Sequence, residues 1–328
     1  MSVVQETIPR RADEGSPDAR REGGKTSFGR FLRKDFRRNR MIYAMALPLV
    51  AYYAIFHYAP MYGAVIAFKQ FNIAKGIWDS PWVGVTHFTA FFDSYYFWRI
   101  LRNTLLLSVY QLLWGFPAPL VLALLLNEVR RNWYKRLIQT IAYLPHFISV
   151  VVVCGLVVDL TSRHGLVTEL IVWLGGKRTA LLAEPGNFRT IFISSGIWQE
   201  IGWGSIIYLA ALSGINPELY EAAKVEGAGR FRQMLHITLP GIMPIVVILL
   251  ILKMGQMMDV SFEKVILLYN PNTYATADVI SSFVYRSGLA GGEYSYSSAI
   301  GLFQSAINCC LLLAANGFAR RVNGNSLW

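Results

Sequence analysis

Few side chains in this sequence stand where they could do chemistry, and those that do lie inside or beside apolar runs. Lys253 follows the aliphatic run Ile245 to Leu252 and precedes Gly255, Gln256 and Asp259. A lysine at the centre of a bilayer costs about 2.5–3.5 kcal/mol, against roughly 0.3–0.6 kcal/mol gained per aliphatic residue, so the run only about cancels it. That face therefore lines a bundle interior or a wet cavity. There Lys253 is either a cation on a solute path or the structural partner of Glu200, Asp159 or Asp259. A second constellation is Trp198-Gln199-Glu200-Ile201-Gly202-Trp203-Gly204. Aromatic rings stack on sugar faces and Gln199 and Glu200 can hydrogen-bond hydroxyls, a combination suited to a carbohydrate path. The same stretch, with small Gly202, Gly204 and Ser205, equally suits close helix packing.

Catalytic chemistry finds little support. Gly23-Gly24-Lys25-Thr26 resembles the end of a phosphate-binding loop, but the glycine required five residues before Gly24 is Ala19, and the flanks are polar tail rather than strand and helix. No HExxH, GxSxG or paired-carboxylate arrangement occurs, and the five histidines are scattered. A membrane-embedded glycan or lipid transferase built on Glu200, Asp159 and His146 would draw on three separate segments with no motif spacing. The alternatives to a transport subunit are that transferase or a passive channel. Cys154, Cys309 and Cys310 lie in apolar runs without CxxC or Cys/His spacing, which supports neither a disulfide framework nor a zinc site. No metal and no cofactor is expected on this chain.

The elements that must position these residues are membrane helices. The 328 residues are 54% hydrophobic and only 16% charged, with a mean hydropathy of +0.38, too apolar for an ordinary soluble domain. Six runs, near 41–66, 103–126, 137–159, 190–212, 242–260 and 296–317, are long enough to cross a hydrocarbon core of roughly 30 Å as helices. The predicted fold is an all-α polytopic membrane protein of six transmembrane helices. Pro117, Pro119 and Pro145 are expected to kink the second and third. Basic residues set the orientation: 20 Lys and Arg lie on the tails and the 128–136 and 214–240 loops, against 10 on the alternate flanks. Both termini are therefore expected in the cytoplasm. The net charge of +11 invites a nucleic-acid partner, but the basic residues crowd beside the first apolar run, so none is expected. Residues 1–40 form a basic cytoplasmic tail. Phe28, Phe31, Leu32 and Phe36 on one face predict a helix lying on anionic membrane lipid. A permease domain at 41–317 and a cytoplasmic tail at 318–328 complete the division. The aromatic-rich flank at 67–102 either receives an extracytoplasmic partner or lies in the headgroup belt.

Between the fourth and fifth runs lies a polar island, Glu221 to Pro240, EAAKVEGAGRFRQMLHITLP. Asn216-Pro217 is a suitable cap and first turn, and Glu218, Glu221, Ala222 and Ala223 favour a short helix. Gly227 and Gly229 permit a sharp turn around Ala228. A second short helix is expected from about Arg230 to His236. Pro240 and Pro244 then open the next apolar run. The island reads as a cytoplasmic docking surface.

The pattern Glu221-Ala222-Ala223, three residues, Gly227-Ala228, then Ile237-Thr238-Leu239-Pro240 resembles the EAA coupling loop of bacterial ABC importer permeases. Glu226 departs from the Asp common there and keeps the charge. Further stretches, among them Pro60-Met61-Tyr62-Gly63, Ser80-Pro81-Trp82-Val83-Gly84, Tyr143-Leu144-Pro145-His146-Phe147-Ile148-Ser149 and Ser326-Leu327-Trp328, are similar to the LplB-type branch of carbohydrate permeases. The resemblance runs from about residue 38 to the C-terminus. It implies a type I importer fold in the bacterial cytoplasmic membrane, with the maltose permease as a distant relative. It implies a second, homologous permease subunit, two ATPase subunits that bind ATP and magnesium, and an extracytoplasmic solute-binding protein. It also implies an oligosaccharide cargo of the kind that includes alginate and pectin fragments. Glu221, Ala222, Ala223, Gly227, Ala228, Leu239 and Pro240 carry over to the ATPase-coupling loop. Lys253, Glu200, Gln199, Trp198 and Gln256 are expected on the substrate path from their own chemistry, since branch members differ there.

Overall fold

A computed structural model describes residues 38–323, which divide into two units between Tyr62 and Gly63. The expected interfacial helix around Phe28 to Phe36, the Gly23–Thr26 stretch and the C-terminal Ser326-Leu327-Trp328 lie outside the described residues. Within the first unit, α1 (Arg40–Tyr53) continues through Ala54–Tyr58 and Ala59–Met61. Its large apolar side chains, such as Met45, Leu47 and Phe56, are exposed, as lipid-facing residues are.

The second unit is helical, and among the described residues it has no β-sheet, only the isolated bridges Lys69 with Trp82 and Asn72 with Gly76. Its principal helices begin with α2 (Phe97–Tyr110), α3 (Pro117–Glu128), α4 (Asn132–Tyr143), α5 (Val150–Thr161), α6 (Leu166–Trp173) and α7 (Pro185–Ser213). They continue with α8 (Pro217–Val225), α9 (Arg230–Gln233), α10 (Leu239–Met254), α11 (Phe262–Leu268), α12 (Ile280–Val284) and α13 (Tyr294–Asn323).

Prolines shape these helices by widening a turn. Three π-type turns, Ala54–Tyr58, Gln111–Gly115 and Met234–Thr238, each lie just before a proline: Pro60, Pro117 and Pro240. A proline supplies no N–H to the carbonyl four residues back and its ring crowds that carbonyl, here Phe56, Leu113 and His236. Opening the helix by one residue relieves the crowding while the chain stays helical. The island's second helix therefore does not stop at His236 and restart at Pro240. It runs helically from Arg230 to Met254.

Pro145 acts differently. The continuous third span expected over 137–159 is two helices, with α4 ending at Tyr143 and a 3-10 turn at Leu144–Phe147. Ile148 is extended, and the Ser149 hydroxyl caps α5 by accepting from Val152 N. Serine at that position satisfies one of the orphan N–H groups of the new helix.

Among the described residues, five segments are long and apolar enough to cross a membrane: Arg40–Phe68, Phe97–Glu128, Val150–Trp173, Arg230–Met254 and Tyr294–Arg321. The remaining expected span, near 190–212, lies in α7, whose 29 residues reach about 43 Å. This helix is long enough but less apolar. Its place explains why: α7 packs against α3, α4, α10 and α11, so much of it meets protein. Buried Phe188 and Phe192 join Leu107, Cys154, Val157, Val265 and Leu268 in one core. Lower along α7, Tyr208 and Leu212 meet Ala123 and Ile242 in another.

Candidate functional site

The polar island Glu221–Pro240 is a helix-turn-helix whose geometry follows from its residues. Asn216 Oδ1 accepts from Glu218 N at 3.0 Å, and Pro217 occupies the first turn, where its missing N–H costs nothing. α8 then ends at Gly227, whose φ of +78° suits glycine. Gly227 N donates to Lys224 O at 3.0 Å, and Ala228 N to Ala223 O at 2.8 Å. These two bonds with the left-handed glycine are a Schellman ending. Gly229, by contrast, is extended and caps α9. The Tyr220 hydroxyl meets buried Thr238 Oγ1 at 3.0 Å, which fastens α8 to the π turn leading into α10.

Glu221, Ala222, Gly227 and Pro240 are exposed, and Ala223, Ala228 and Leu239 half-buried. Beside them Leu219, Val225 and Phe231 are exposed large apolar side chains, Val225 at 90%. From here the chain stays helical, α9 passing through the π turn into α10.

A cavity of about 570 Å³ collects residues from distant parts of the chain. Gln111, Phe116 and Pro119 meet Phe192, Gly196, Gln199, Glu200 and Tyr208 of α7, with Leu249 and Lys253 of α10 and Glu263 and Lys264 of α11. Of the predicted path residues, Gln199, Glu200 and Lys253 share this lining. Trp198 and Gln256 do not; Trp198 is exposed on another face of α7, and Gln256 is exposed beyond the end of α10. No carboxylate lies within 4 Å of Lys253 among the described residues. Glu200 is instead held by His146 Nδ1 at 3.1 Å, and Asp259 accepts from Gln304 Nε2 at 2.7 Å. The His146 ring stacks on Trp203 with centroids 4.4 Å apart and planes 5° from parallel. The turn after α4 and α7 thus build one His–Trp–Glu corner at the cavity's edge. Gly202 admits the end of α4 there, since a Cβ on it would stand 2.0 Å from Ala142 O.

Two features escape a reading of residues one at a time. Lys264, counted among the basic residues of a polar flank, is 4% exposed and lines the cavity. Its Nζ donates to Phe192 O at 3.0 Å and lies 4.9 Å from the centre of the Phe192 ring. Burial pushes its ammonium down to about 8, opposed by Cys154 and Glu200. The second is Asp278, fully buried, whose carboxylate accepts from Arg286 at 2.8 and 3.1 Å, Arg99 at 3.4 Å and Ser282 at 2.9 Å. Asn103 extends this network by donating to Asp278 O at 3.0 Å and accepting from Arg189 at 2.8 Å. It ties the starts of α2 and α7 to the segment between α11 and α13. A burial or charge pattern along one helix gives no sign of partners 179 residues apart.

Comparison with known proteins places these features. The chain is 44% identical over 293 residues to protein LplB of Bacillus subtilis, covering 89% of this chain and 92% of that protein. It is 45% identical over 288 residues to the polygalacturonan/rhamnogalacturonan transport system permease protein YteP of the same species, covering 88% and 90%. A chain from the crystal structure of a bacterial alginate ABC transporter, in complex with an alginate pentasaccharide-bound periplasmic protein, superposes with a TM-score of 0.83. That chain is 45% identical, and the match covers 90% of this chain and 99% of that one. Residues 115–324 match the family described as binding-protein-dependent transport system inner membrane component. With five helices long and apolar enough to span a bilayer, this is a multi-pass membrane protein whose work is transport and not catalysis. The chain belongs to the family of binding-protein-dependent transport system inner membrane components.

Proposed function

We propose that this chain is one permease half of an ATP-driven importer for a uronate-bearing oligosaccharide, set in a bacterial cytoplasmic (inner) membrane. The observation that carries the reading is the island: an exposed helix pair, α8 and α9, fastened by Tyr220–Thr238 and continuous with the apolar α10. Glu221, Ala222, Ala223, Gly227, Ala228, Leu239 and Pro240 form the joint to an ATPase subunit. Two such subunits bind ATP and magnesium, a second permease completes the path, and an extracytoplasmic solute-binding protein delivers the cargo. In this reading the fold is of type I and crosses six times, with α7 as the fourth crossing shielded by its neighbours. Both termini lie in the cytoplasm, as the 20 to 10 division of basic residues favours.

Closure of the ATPases moves α8 and α9 as one body. Through α10 that motion reaches the wall of the 570 Å³ cavity at Leu249 and Lys253, which biases the bundle between inward and outward access. The solute-binding protein assists by binding one of those states better than the other, the only way a ligand shifts such an equilibrium. A uronate cargo is supported by the relatives named for polygalacturonan and alginate transport and by the lysines of the cavity. The test is ATP-dependent accumulation of labelled oligogalacturonate or oligoalginate in vesicles containing the complete assembly. Uptake that needs ATP and the solute-binding protein is expected; equilibration that proceeds equally well without ATP contradicts an importer.

A further inference from the structure

The cavity contains a cation that the coupling mechanism does not use. Lys264 is buried, and no carboxylate lies within 4 Å of it among the described residues. Its one hydrogen bond is to the Phe192 carbonyl, at 3.0 Å. An ammonium offers three donors, so two remain unused. A charge taken from water without a counter-charge is costly, and an apolar side chain would fill the same space more cheaply. The carboxylates that share the lining, Glu200 and Glu263, are both exposed, and Glu200 is engaged by His146. Lys253 stands in the same lining, also without a carboxylate in reach.

The surroundings of Nζ are shaped to leave one side open. Phe192 covers it with carbonyl and ring. One helical turn further along α7 stands Gly196, where a Cβ would lie 3.2 Å from Nζ. A side chain there would crowd the ammonium and force it to shift. Glycine inside a long helix costs about 0.5–1 kcal/mol relative to alanine, and at this place it keeps the donor accessible.

We propose that Lys264 is a carboxylate-binding residue of the solute path, through which the cavity selects saccharides carrying a carboxylate over neutral counterparts of the same length. This rests on the importer reading and adds to it the residue that recognises the cargo's charge. The uronate carboxylate accepts from the free N–H donors of Lys264 while Lys253 contributes a second positive centre. Because Lys264 is already desolvated, the pairing forms without stripping water from the protein's side, where charge-assisted hydrogen bonds are strongest.

The test compares an oligogalacturonate with its carboxyl-reduced counterpart, each titrated across its half-saturating range for ATP-dependent uptake, in vesicles containing the complete assembly. Lys264→Met keeps length and removes the charge from a buried site, so the assembly should form; its yield is checked first. Lys264→Met is expected to raise the half-saturating concentration for the uronate about ten- to hundredfold, the range for losing a hydrogen bond to a charged group. The reduced sugar should change less than about twofold, since it never made that bond. Lys264→Arg should retain most of the discrimination. Equal changes for the two sugars, or no change for either, overturn the role of Lys264 while leaving the importer intact. Loss of all ATP-dependent uptake by the unaltered assembly would overturn the importer reading itself.

Discussion

Gly202→Ala tests how closely the end of α4 meets α7. An added Cβ would stand 2.0 Å from Ala142 O, 2.3 Å from Ala142 C and 2.9 Å from Tyr143 N. Carbon atoms pack at about 3.5–4.0 Å, and all three obstacles are backbone, so no side-chain rotation relieves the clash. The helices must part by more than about 1 Å, which places the cost at the upper end of overpacking, about 3 kcal/mol. At about 2–4 °C per kcal/mol the midpoint of thermal unfolding should fall by about 6–12 °C. Tryptophan fluorescence of the detergent-purified protein suits the measurement, because Trp203 stacks on His146 at this contact. Gly155→Ala is the control: it lies within α5 with no heavy atom inside 4 Å of its Cβ position. Helix propensity alone should make that variant neutral or slightly stabilised. Equal midpoints for Gly202→Ala and Gly155→Ala would refute the packing.

Asp278→Asn leaves Arg99 and Arg286 around a neutral amide and should cost about 3–5 kcal/mol, the penalty for breaking a buried pair, read as a lower unfolding midpoint. Oligouronate uptake should weaken as pH rises through about 8, because burial favours the neutral amine of Lys264 and only the ammonium pairs with a carboxylate. Cys154 and Glu200 oppose that loss and Lys253 and Glu263 share the lining, so the control is Lys264→Arg, whose guanidinium stays charged and should flatten the profile.

Local signals carried the coupling island almost completely. The Asn216-Pro217 cap, the glycine turn and the helix formers between them act within a few residues, and α8 ends where those signals end it. The polarity of Lys253, Glu200 and Gln199 within apolar runs likewise pointed to a cavity, and all three line one. The prolines took two courses. Pro117 and Pro240 were absorbed by widened turns, while Pro145 with Ser149 ended one helix and began another. Which outcome occurs depends on what the neighbouring helices satisfy, and that is a tertiary matter. Lys264 stayed hidden for the same reason. Its flank reads as a polar connection, and only the fold brings it to Phe192, 72 residues earlier, and buries it.

If the island transmits ATPase motion, changes in it should abolish solute-stimulated ATP hydrolysis by the reconstituted assembly. Gly227→Pro demands a φ near −65° where the backbone has +78°, and it removes the N–H that bonds Lys224 O. Glu221→Ala alters the exposed face of α8 without touching the bundle. Both variants are expected to insert and assemble, yet to lose the stimulation by loaded solute-binding protein together with uptake. Full stimulation surviving in both variants would contradict the account.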